Sequence, residues 1–104
     1  MEHTINIIET FGKNVVTRDD GKKVHDLIVA QWDKADTIKI DFGDVLIASV
    51  SFFDEIFGQL ALEYSRNELT TKIHPENIQE FDRALVNDIV RSRLRQKDLK
   101  QEVH

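Results

Sequence analysis

Two periodicities meet in the middle of the chain. Ile38, Ile40 and Phe42 alternate with Lys39 and Asp41, the two-residue repeat of a strand with one buried face. Beyond Ser51, the residues Phe53, Ile56, Phe57, Leu60 and Tyr64 recur at helical spacing. A chain carrying both repeats must bury a sheet face against a helix stripe, so it is an α/β fold and not a helical bundle or a β-sandwich. The same alternation extends to both sides. A β-type run from Ile5 to Glu9, a turn at Phe11-Gly12-Lys13-Asn14 and Val15-Val16 predict an N-terminal hairpin. Thr17 then opens a helix, with Asp20 completing a capping box and Val24, Leu27, Ile28 and Trp32 on its inner face. Gly21 within that helix costs about 1 kcal/mol relative to Ala.

Past a break at Arg66-Asn67, Leu69 to His74 reads as a strand and His74-Pro75-Glu76 as a connection. Asn77 and Glu80 form a capping box for a last helix striped by Ile78, Phe81, Leu85, Val86, Ile89, Val90 and Leu94. The predicted order is strand, strand, helix, strand, helix, strand, helix. That order predicts a mixed sheet of about four strands, an N-terminal hairpin plus parallel strands joined by right-handed crossovers, with three helices. At 104 residues this is one domain, 1–104, ending in a basic helical tail at 91–104.

Charge and composition narrow the function. There are 14 Lys and Arg against 19 Asp and Glu, a net charge of −5, which makes general nucleic-acid binding an unexpected role. The charge is uneven: residues 91–104 hold five Lys or Arg against two Asp or Glu, while residues 1–90 hold nine against seventeen. With no Cys, a disulfide scaffold, a thiolate metal site and a Cys nucleophile are excluded. No run approaches the ~18 apolar residues of a membrane span, and the first residues lack the pattern of a signal peptide. A cytoplasmic location without membrane contact is expected.

Strong catalytic motifs are absent: there is no G-x-S-x-G, no phosphate-binding glycine loop and no HExxH. His3, His25, His74 and His104 are scattered without ligand spacing, so neither a metal nor another cofactor is expected, nor enzymatic activity. Ser51 stands out, at a helix start after a buried strand and beside Ser49. It reads first as an N-cap, and compatibly with that as a position where a phosphate would meet exposed backbone N–H groups. Asp41, Asp44, Asp54 and Glu55 can be drawn as a carboxylate group, but Asp54 and Glu55 are better explained as helix-dipole partners. Arg91, Arg93, Arg95, Lys97 and Lys100 form a basic end that either complements a helix C-terminus or docks an acidic partner.

The stretch Ile40-Asp41-Phe42-Gly43-Asp44-Val45 followed by Leu46-Ile47-Ala48-Ser49-Val50-Ser51-Phe52-Phe53 resembles a STAS domain, the fold of bacterial anti-sigma-factor antagonists. There a hydrophobic strand bearing an Asp leads through a short loop to Asp-Ser-Ser-Gly-Leu at a helix start. Ser51-Phe52-Phe53-Asp54-Glu55-Ile56-Phe57-Gly58 is closer still to a STAS-like family of small bacterial proteins of unknown function. Ser49, Val50 and Phe52 stand where the antagonist pattern has Asp, Ser and Gly. The resemblance implies a noncatalytic regulatory module that binds a protein partner, a GHKL-type ATPase or serine kinase, with phosphorylation at Ser51 as the switch. Ser49, Phe52, Asp54, Glu55, Arg91 and Arg95 are the accompanying candidates for partner contact, and a homodimer is also compatible with the sequence. The alternative is a nucleic-acid-associated regulator using the basic C-terminal helix.

Overall fold

A computed structural model describes residues 1–102, with side chains described through residue 99. Three parallel strands form the main sheet in the order β1-β3-β5: β1 is Glu2–Asn6, β3 is Thr37–Asp41 and β5 is Ile73–Glu76. The central strand pairs Ile38 with Ile73 and Ile40 with Ile5. A second sheet consists of β2 (Val15–Val16) and β4 (Ile47–Ala48), also parallel. Five helices are present among the described residues. They are α1 (Ile7–Phe11), α2 (Arg18–Gln31), a continuous α3 over 50–63, α4 (Arg66–Lys72) and α5 (Glu80–Glu102). The chain is therefore a small α/β domain with parallel strands, as expected, but differs in its parts.

The expected hairpin does not form. β1 ends at Asn6, whose side chain accepts the Glu9 N–H at 2.9 Å and starts α1, so Ile7 to Glu9 are helical. Gly12, at φ 67°, ends that turn in the left-handed region where glycine carries no Cβ penalty. β1 and β2 are thus separated into two sheets, and each takes a parallel partner instead of the other. The second correction lies at 66–76. Ser65 and Glu68 form a capping box, so Arg66–Lys72 is helix and the strand begins only at Ile73. Asn77 does not cap the last helix: it turns the backbone at φ 55°, and its amide donates to Asp41 at 2.9 Å.

One face of the main sheet carries Ile5, Ile38, Ile40 and Ile73, all buried beneath the helices. The other carries Lys39 between Glu2 and Glu76, at 3.4 Å from each carboxylate. The helix expected beyond Ser51 is present over 50–63, with Phe53, Ile56, Phe57 and Leu60 in the core, but Tyr64, expected on its buried face, lies partly buried beyond its end. Phe52 and Ala61 join that core, so the buried positions fall in pairs four residues apart. A straight α-helix rotates such a row off axis, but Asp54–Gly58 is π-helical. The wider turn keeps rows at spacing four aimed at the sheet. Phe42, Phe52, Phe53 and Phe57 pack around one another with ring centroids 5.5–6.5 Å apart.

Candidate functional site

Ser49 leaves β4 in extended backbone, at φ −70° and ψ 156°, and its hydroxyl accepts the Phe52 N–H at 3.0 Å. Ser49 is therefore the cap of α3, and the expectation that Ser51 caps it is corrected. A cap must precede the helical residues, and Ser51 already lies within the first turn. Freed from that role, the Ser51 hydroxyl accepts from Arg18 Nη2 at 3.0 Å. The other terminal nitrogen of Arg18 is ion-paired with Glu55, one turn further along α3. Arg18 is the first residue of α2, so its guanidinium joins the starts of two helices across a partly exposed surface.

That surface is bordered by apolar side chains. Leu46, Ile47 and Val50 keep 68%, 57% and 60% of their area exposed, and Val15, paired with Ile47 in the small sheet, is exposed as well. The backbone holding them is fixed: Leu46 and Ile47 donate to Asn14 O at 2.8 and 3.1 Å, and Ser49 donates to Val16 O at 3.2 Å. An apolar cluster of this kind on a rigid support is what partner surfaces present to solvent.

The other candidates separate from this group. Phe52 is fully buried in the aromatic cluster, so its side chain cannot touch a partner. Asp54 points to α5, where Arg93 Nη2 approaches it at 2.8 Å. Asp54 and Glu55 lie beyond the first turn of α3 and each meets an arginine, so ion pairing replaces the expected dipole role. The imagined carboxylate group is likewise dispersed. Asp41 accepts from Asn77 and from the Gly43 N–H at 2.8 Å, and these donors hold its carboxyl below the usual range against the opposing effect of burial. Among the described residues, no three His, Cys, Asp or Glu side chains converge as metal ligands.

The basic end of α5 also divides. Arg93 serves Asp54, and Lys97 donates to the carbonyls of Ala61 and Tyr64 at 3.0 and 2.9 Å, capping the C-terminus of α3. Arg91 and Arg95 are exposed, with Arg91 at 3.4 Å from Asp88 on its own helix. Neither bonds to the Arg18–Ser51–Glu55 group. The Lys100 side chain and His104 lie outside the described residues. Lys72 does for α2 what Lys97 does for α3, donating to the carbonyls of Trp32 and, at 2.7 Å, Ala35. Arg18 and Lys72 were not legible as functional or structural cations, and Lys97 only as one of the basic end, because their partners lie more than thirty residues away in sequence. No helix of the described residues is long and apolar enough to cross a membrane.

Residues 20–83 match the model of a family described as a STAS-like domain of unknown function (DUF4325). No curated protein and no solved structure matches the chain. The matched stretch runs from the first turn of α2 to the first turn of α5 and takes in β4, Ser49, Ser51 and the whole of α3, leaving Arg18 and the basic end outside it. It covers more than half of the sequence, and the chain belongs to this family of STAS-like domains.

Proposed function

We propose that the protein is a noncatalytic regulatory module whose partner is another protein, a GHKL-type ATPase or serine kinase. The contact surface is formed by Val15, Leu46, Ile47, Val50 and Ser51. The observation that carries this reading is the exposed apolar cluster directly preceding Ser51. In soluble proteins, apolar side chains of this size are exposed together mainly where another surface covers them. Ser51 is the position at which such a contact would be switched. A kinase would transfer the terminal phosphoryl group of ATP to Oγ, breaking its bond to the bridging oxygen so that ADP leaves, with loss of the hydroxyl proton. The product carries close to two negative charges at a place already within reach of Arg18. A phosphate there competes with Glu55 for the guanidinium and places charge beside the apolar contact, which weakens docking. Binding to nucleic acid through α5 has less support, because Arg93 and Lys97 are engaged by the body of the protein.

The test is capture of the partner with wild type, Ile47→Asp and Ser51→Asp proteins, with mass spectrometry of Ser51 in protein from its native cells. The reading requires one ATPase or kinase retained by wild type and lost with Ile47→Asp at unchanged folding. Equal retention by all three proteins overturns it.

A further inference from the structure

A cleft of about 210 Å3 lies between α4, β5 and α5. Its apolar lining comes from Phe57, Leu69, Ile73, Val86 and Val90, and two arginines, Arg66 and Arg91, stand among its walls. The lining contains no carboxylate, in a protein of net charge −5. Thr70 and Asn87 add polar groups. Among the described residues Arg66 has no ion-pair partner, and Arg91 has only the 3.4 Å approach of Asp88. Arg93 and Arg18, by contrast, are each closed on a carboxylate. Two lightly engaged arginines bordering an apolar cleft are complementary to an anion that also has apolar surface. The planar guanidinium fork matches a carboxylate in particular. The volume falls below the roughly 300–1,000 Å3 of sites for drug-sized ligands, so the occupant is small.

We propose that this cleft binds a small organic carboxylate, its compact apolar body against Phe57, Ile73 and Val86 and its carboxylate held by Arg66 and Arg91. The site is independent of the Ser51 surface. The experiment is an amide-resolved NMR titration of the full chain with hexanoate, with acetate supplying the charge without the body and hexan-1-ol the body without the charge. Hexanoate is expected to shift amides of residues 69–74 and 86–91 saturably in the millimolar range, with far weaker responses to the other two. Arg66→Gln/Arg91→Gln should bind hexanoate about tenfold more weakly while the rest of its spectrum matches wild type. Should the double variant's spectrum depart from wild type, the two single variants, each at an exposed arginine, take its place. The proposal is overturned by the absence of a saturable hexanoate shift. It is equally overturned by an acetate or hexan-1-ol response matching that of hexanoate, or by hexanoate binding undiminished in the arginine variants.

Discussion

Arg93 closes on the Asp54 carboxylate, with Nη2 at 2.8 Å from Oδ2 and 3.1 Å from Oδ1, and so ties the last helix to the π turn of α3. The same carboxylate lies over Gly58, where an added Cβ would collide with Asp54 Oδ1 and meet Ile89 Cγ2 at 3.3 Å. Three features on two helices are thus one arrangement: the π turn, the missing side chain at Gly58 and the ion pair.

Gly58→Ala gains about 1 kcal/mol of intrinsic helix propensity. It must also push Asp54 away from Arg93 or Ile89 out of its packing, at about 1–3 kcal/mol. The expected result is a net loss of about 1 kcal/mol in urea denaturation. Combined with Arg93→Met, the loss should be less than additive, because both changes remove the same pair. Full additivity would show that Gly58 and the pair are independent.

Gly21 poses the same competition with a stiffer obstacle. A Cβ there would meet the backbone carbonyl oxygen of Phe52 at 2.6 Å and Glu55 Cβ at 3.0 Å. A backbone oxygen cannot swing aside as a carboxylate can, so α2 and α3 would have to separate. Gly21→Ala should destabilise by about 2 kcal/mol despite its better helix propensity. A gain in stability would mean that the two helices are not held at this distance. The glycine that appears as a weakness in the helix is a requirement of helix-to-helix contact.

The basic end of α5 contains both structural and free cations. Lys97→Met removes the donor to two helix-terminal carbonyls and should cost about 1–2 kcal/mol in denaturant melts. Arg95→Glu, at an exposed position, should change stability by less than about 0.5 kcal/mol. Equal effects from the two would show that Lys97 is no more structural than Arg95.

His25 links α2 to the end of α3 through Glu63 and also contacts Asp26 at 3.2 Å. Burial pushes its imidazole pKa down, but the two carboxylates outweigh that and hold it above the ordinary value of 6.5. The protonated form is therefore favoured by folding. Its contribution is complete below the unfolded pKa of about 6.5 and is lost as pH rises through the raised folded value. The stability advantage of wild type over His25→Gln should be larger at pH 6 than at pH 9. An advantage constant across that range would show that His25 contributes only neutral contacts.

Local signals predicted the parts whose partners are nearby in sequence. Ile38 to Phe42 and the buried stripe of Phe53, Ile56, Phe57 and Leu60 follow from periodicity alone, and Thr17 with Asp20 from a three-residue spacing. The capping box of Ser65 and Glu68 carries the same local signal, yet Leu69, Thr70, Thr71 and Ile73 read as β-type residues and obscured it. Strand partners were less accessible. β1 ends where a helical turn begins, and its parallel neighbour lies some thirty-five residues on, a pairing that no local pattern specifies. The candidate site shows the same limit. Two serines two residues apart both suit a helix start, and only the backbone geometry assigns the cap to Ser49 and leaves Ser51 to Arg18.

That assignment gives the two serines opposite behaviours. Ser49→Ala removes the acceptor of the Phe52 N–H and should cost about 1 kcal/mol. Ser51→Ala removes only a partly exposed bond to Arg18, whose pairing with Glu55 remains, so its cost should stay within about 0.5 kcal/mol. Ser51→Asp introduces a carboxylate near Arg18 and near the positive end of α3, both favourable, and near Glu55, which is not. These effects nearly offset one another, so the fold should be retained. At the surface they do not cancel, because the new charge stands beside Leu46, Ile47 and Val50. Ser51→Asp should therefore leave the denaturation midpoint close to wild type and weaken binding of the proposed partner, whereas Ser51→Ala binds normally. Adding Arg18→Gln to Ser51→Asp should destabilise the protein more than Arg18→Gln does in wild type, since the new carboxylate then faces Glu55 without the guanidinium between them. If Arg18→Gln has the same effect in both backgrounds, Arg18 does not sense charge at Ser51, and the arginine only braces the two helix starts.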